Sequence, residues 1–426
     1  MRFVSTMALG LMLSIGGAAV VGVSPAIAAK KEKAPGQDFS NAFREVAANL
    51  QKSVQSKDFE AAKTQLAAAE SAASTPDDKF LLGQFRLQIG LGLKDEAMQR
   101  AGVEGMLASG ATPAADAPKY HFYAGQFALN ANDADAAIPH LQQAVDGGYP
   151  GSAPHIMLAE AHFKKATSTA KGNQLTPAGK AAVQAGLPHL KMAAEIEKTA
   201  TGKVPAGWYD RGFQLAYVAG LPEAPEWALL SVQSDPTPKN WRSLLRGYQD
   251  THKALSKAEN LDLMRLMRQT GSLDSEYDYS EYAEAAFSSG LPGEAKAIID
   301  EGRSKGKVGA TRLSEVYSLA SGKIASDKAS LAAGERDAAK AANGKIAASI
   351  GDAYLGYGDY AKAATLYRLG LQKGSVDANE VNTRLGIALA KSGDLAGAKT
   401  AFEAVKGGSR QDIAKYWLLW INAQQA

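Results

Sequence analysis

The feature that most constrains this chain is an internal repeat, read most clearly in IAASIGDAYLGYGDYAKAATLYRLG, residues 346–370. Ile350, Tyr354 and Leu355 recur at helical intervals, Gly358 and Asp359 break the pattern, and Ala363, Leu366, Tyr367 and Gly370 resume it. The spacing predicts a helix, a tight turn and a second helix packed back on the first. Small residues at Gly351 and Ala363 let the two backbones approach. The pattern returns 35 residues on, where Gly386, Leu389, Gly393, Asp394, Ala398 and Phe402 match Gly351, Tyr354, Gly358, Asp359, Ala363 and Tyr367.

A helical hairpin of about 34 residues, with small residues twelve apart and an aromatic four later, resembles the tetratricopeptide repeat family. Residues 208–236 follow that pattern through Trp208, Gly212, Leu215, Ala224, Ala228, Ser231 and Pro236. The resemblance implies an all-α fold, an α-solenoid of stacked helix-turn-helix units, with first helices lining a concave face. Degenerate copies extend it over most of residues 39–410, nine or ten hairpins in all, including Gly125 with Ala137 and Ala283 with Ala295. Irregular insertions are expected near 105–118 and 166–180, and a poorly written copy at 308–344. Residues 411–426 are expected to form a capping helix, since the end of a stack cannot bury its face against another repeat.

Arg2, an apolar run from Met7 to Val23, and Ser24-Pro25-Ala26-Ile27-Ala28 read as a signal peptide cleaved after Ala28. This predicts an exported protein, periplasmic if bacterial or else secreted, with no membrane span after cleavage. Residues 29–38 read as a flexible lead-in. The sequence has no cysteine, which removes disulfides, thiolate chemistry and a lipidated N-terminal cysteine. A net charge of +3, well mixed along the chain, argues against a nucleic-acid partner.

The search for chemistry returns little. There is no GxSxG, no GxxxxGK[ST] and no HExxH. Ser168-x-x-Lys171 and Ser304-x-x-Lys307 lack the companion motifs of serine–lysine enzymes. His155 and His162, approached by His121 from a neighbouring repeat, would be a metal arrangement, but packed histidines are the preferred reading. Asp274, Glu276 and Asp278 alternate like the start of a calcium loop, yet Tyr279 stands where glycine is required. No catalytic residue, metal or cofactor is expected.

The resemblance places Tyr209, Phe213 and Tyr217 on one inner helix, Arg242 and Arg246 on the next, and Tyr277, Ser280, Glu284 and Phe287 on a third. Tyrosine and arginine together suit a peptide ligand. The lysine–asparagine clamp of chaperone-binding members is not matched, since Tyr209, Phe213 and Phe122 occupy comparable places. A second expected surface is the final helix, where Trp417 and Trp420 would dock a partner or a second copy. The leading function is a non-enzymatic exported scaffold or adaptor for protein or peptide partners of the cell envelope. The alternative is an accessory protein of cell-wall or surface polysaccharide, its aromatic groove stacking sugars, with or without hydrolysis.

Overall fold

The computed structural model describes residues 38–172, 174–205 and 207–424. The signal-peptide segment and nearly all of the lead-in lie outside them. The described residues form twenty helices; within α1–α8 and within α9–α20, consecutive helices pack on one another. Eighteen of them pair as nine hairpins: α1 (Asn41–Gln55) with α2 (Phe59–Ala72), α3 (Pro76–Leu93) with α4 (Glu96–Ala108), α5 (Ala117–Asn130) with α6 (Ala134–Asp146), and α7 (Ala153–Ser168) with α8 (Pro177–Thr201). There follow α9 (Trp208–Ala219) with α10 (Ala224–Ser234), α11 (Pro238–Thr251) with α12 (Lys257–Gln269), and α13 (Glu276–Ser288) with α14 (Pro292–Ser304). A single helix α15 (Ser314–Lys340) precedes α16 (Lys345–Tyr357) with α17 (Tyr360–Lys373), α18 (Ala378–Ser392) with α19 (Leu395–Glu403), and the final helix α20 (Gly408–Ala423). The fold is all-α, a solenoid of hairpins.

Five of the turns share one local solution. A residue with positive φ (Lys57, Lys94, Asn132, Gly358 or Gly393) ends the first helix. The aspartate that follows it caps the second, Asp58, Asp95, Asp133, Asp359 and Asp394 each accepting from a backbone amide three residues on. The hairpins then close through glycine. A Cβ on Gly125 would lie 2.5 Å from Leu141, one on Gly351 2.9 Å from the Tyr367 ring, and one on Gly386 2.6 Å from Phe402. This is the close approach expected of the small residues in the repeat.

The helices divide into two compact units, one ending at Gly202 and one beginning at Lys203. The first contains α1–α8, with cores built on Phe43, Leu50, Phe85 and Ile89, on Met106 and Phe127, and on Leu141 and Leu158. The second contains α9–α20.

Three irregular segments differ from expectation. Residues 105–108 belong to α4, so the loop there is 109–116. The 166–180 insertion shrinks to 169–176 because α7 runs to Ser168 and α8 starts early, at Pro177, continuing for 25 residues. In place of a hairpin at 308–344 there is α15, 27 residues long, burying only Ala320, Leu331 and Ala338. Its sequence is too poor in aliphatic residues to hold two helices face to face. No described helix is long and apolar enough to cross a membrane.

Candidate functional site

A cavity of the second unit, about 670 Å³, is bounded by α9, α11, the turn after α11, α12 and α13. Of the expected groove residues, Phe213, Tyr217, Arg242, Arg246 and Tyr277 line it. Tyr277 and Tyr217 stand at its edge, 67% and 49% exposed, whereas Phe213 is buried. The other four expected residues do not line it. Tyr209 packs toward Trp227, at 6.1 Å between rings. Phe287 lies under the Lys323 ammonium, 5.2 Å from the ring centre. Glu284 is exposed farther along α13 and does not line the cavity. Ser280 is buried.

The two arginines are engaged within the fold. Both pair with Asp278, a fully buried side chain, and Arg246 also reaches Glu281 at 2.7 Å. Asp278 also forms a capping box with Ser275 and accepts from the backbone amides of Asp274 and Ser275. Burial alone would raise its carboxyl pKa. The hydrogen bonds from Arg242, from the Asp274 amide, from Arg246 and from the Ser275 amide outweigh that effect and hold it well below the usual range. The acidic alternation at 274–278 is therefore a helix start with an internal ion pair. What it builds is a rigid floor, with the Arg246 guanidinium 5.1 Å from the centre of the exposed Tyr277 ring.

Around that floor, Asn260 donates to Glu281 at 3.0 Å and Tyr217 to Asp250 at 3.1 Å. Lys253 and Lys257 give the rim a positive balance. Glu281 and Asp250 were not anticipated, because Arg246 and Tyr217 lie 35 and 33 residues away from them; Asp278 stood out only in the acidic alternation, its two arginine partners being 36 and 32 residues away.

The expected docking patch on α20 is overturned. Trp417 is fully buried and stacks on Phe402 at 5.6 Å, and Trp420 is only 9% exposed. The helix lies against α18 and α19 on one side and α12 on another. It is fixed to α12 by an Arg410–Asp262 ion pair of 2.8 Å, and Tyr248 of α11 meets the Tyr416 ring edge-on. Asp262 also holds Arg265, which in turn grips Glu294. Arg384 joins the cluster, pairing with Asp352 and Glu380. Asp352 also accepts from Tyr367, so the inner face of the clearest repeat is part of a buried charge network.

The histidines pair differently from the expected set. His121 meets His140, with Nδ1 atoms 3.0 Å apart, and His155 meets His189 at 3.4 Å, with His162 stacked on the His189 ring. His140 and His189 sit on second helices, so each pair joins the two helices of one hairpin, α5 with α6 and α7 with α8. Among the described residues no group of three or more histidines and acids is placed to hold a metal. The serine of each Ser-x-x-Lys pair bonds the carbonyl three residues earlier at a helix end, Ser168 to Lys165 and Ser304 to Glu301.

No family model matches the chain, and no curated protein matches it. Among solved structures, the crystal structure of yeast Tom70 is similar at 11% identity and a TM-score of 0.24, over 90% of this chain and 89% of that one. So loose a likeness supports no argument about ligand or partner. The functional reading rests on the cavity.

Proposed function

We propose that this protein is a non-enzymatic scaffold that holds an extended segment of a protein partner in the cavity between α9, α11, α12 and α13. The observation that carries the reading is the pair of exposed rings, Tyr217 and Tyr277, above a floor already locked by ion pairs. Rigid aromatic anchors cost little entropy to bury, and a floor that does not rearrange adds no ordering cost on binding. The positive rim suits a segment carrying acidic residues beside apolar ones. The two acids that line the cavity are both occupied, Asp250 by Tyr217 and Glu281 by Arg246 and Asn260, which argues against an acid–base pair for glycoside hydrolysis. The Arg2 and Met7–Val23 leader supports export, so the partner is taken to be an envelope protein.

The test replaces Tyr217 and Tyr277 with serine, both positions being exposed enough to spare the fold. A photo-crosslinker placed at position 277 of the native chain should capture a defined partner. The double variant should bind that partner about tenfold or more weakly at unchanged helical content. An unchanged partner set and affinity would sink the reading.

A further inference from the structure

A second cavity of the same unit, about 210 Å³, shares no lining residue with the first. It lies where α12, α14, α16, α17 and α18 approach one another, and three cationic side chains line it, Arg265, Arg268 and Lys391, against one carboxylate, Glu294. That carboxylate is engaged at both oxygens. Arg265 bonds both of its oxygens, at 2.9 and 2.6 Å, and the Tyr282 hydroxyl donates to one of them at 2.7 Å. Arg265 spends its remaining charge on Asp262.

The other donors are not spent. Among the described residues Arg268 gives only its Nε, to Glu301 at 2.7 Å, and neither terminal nitrogen of the guanidinium has a bond. Lys391, half-buried at the end of α18, has no hydrogen bond or ion pair among the described residues. The Tyr360 hydroxyl, at the start of α17, also has none. Glu294 and Glu301 attract Lys391 without a direct ion pair, and a half-buried ammonium lacking a direct partner is costly. Burial, and then repulsion from Arg268, lowers Lys391 to about 8, so it still carries its charge at neutral pH.

We propose that this cavity is a binding site for a phosphate-sized oxyanion, held by the free nitrogens of Arg268, the Lys391 ammonium and the Tyr360 hydroxyl. Three donors brought from three helices suit a tetrahedral group better than a planar one, and a planar fork beside a point charge is a fitting pair for phosphate. The volume admits the anion, free or as a compact monoester.

The test is thermal unfolding of the full chain in inorganic phosphate and in sodium chloride at matched ionic strength, with sodium acetate as a planar comparator. Phosphate at roughly ten times its dissociation constant should raise the Tm by about 2–6 °C over chloride. Lys391→Met should abolish that rise while leaving the Tm in chloride unchanged or higher, since it removes an uncompensated charge. Phosphorus NMR line broadening by the native chain gives a second reading that needs no variant. No rise and no broadening, an equal rise in Lys391→Met, or an equal rise with acetate would each overturn the assignment.

Discussion

Glycine sixteen positions before a large side chain is the contact on which single hairpins depend, at Gly125 and Leu141, Gly351 and Tyr367, and Gly386 and Phe402. A methyl group on Gly386 would meet three atoms of the Phe402 ring within 2.7 Å, and that ring is itself wedged against Trp417. Gly386→Ala should therefore destabilise the protein by about 1–3 kcal/mol. Gly322, inside α15, faces open space, so Gly322→Ala should instead add about 0.5–1 kcal/mol. Denaturant unfolding of the two variants checks both signs. The glycine–ring contact was legible in the sequence because both partners belong to one hairpin. Arg242 and Arg246 were legible only as charges, since Asp278 belongs to the next hairpin.

At the scale of the element, α20 shows how a correct helix can be given the wrong role. Tyr416, Trp417, Leu418, Leu419, Trp420 and Ile421 leave it almost no polar face, and such a helix is usually enclosed. The sequence identifies a terminal helix but carries no sign that α12, some 150 residues earlier, covers its far side. The ion pair that joins them is buried at both ends, with Arg410 6% and Asp262 0% exposed. Arg410→Met should cost roughly 3 kcal/mol, because it leaves Asp262 with less compensating charge in a site closed to water. If denaturant unfolding moved by less than about 0.5 kcal/mol, the pair would be a bystander. The slope of the transition should stay near that of the wild type, since α20 remains packed through its tryptophans.

Across the whole molecule the two units spend their titratable groups differently, and this fixes how each responds to acid. In the first unit, burial lowers His121, His140, His155, His162 and His189 below the ordinary 6.5. The paired Nδ1 atoms tolerate at most one proton between them, so double protonation drives each pair apart. The unfolded chain therefore binds more protons than the folded one as pH falls below 6.5, and stability present above that point is lost on acidification. Glu104 beside His140 opposes the effect there, but it ranks behind burial.

In the second unit Asp262, Asp278, Glu294 and Glu301 are all lowered, each despite its burial, by arginine or lysine partners. For these the stabilisation is complete above the unfolded carboxyl pKa, about 4, and is lost only below it. Between pH 6.5 and 4.5 the histidine hairpins α5–α8 should open while α11–α14 stay closed. Peptide-resolved hydrogen exchange at pH 7.5 and pH 5, corrected for intrinsic rates, measures this. Earlier loss of protection in α11–α14 would mean that the buried carboxylates, and not the histidine pairs, set the acid limit of the fold.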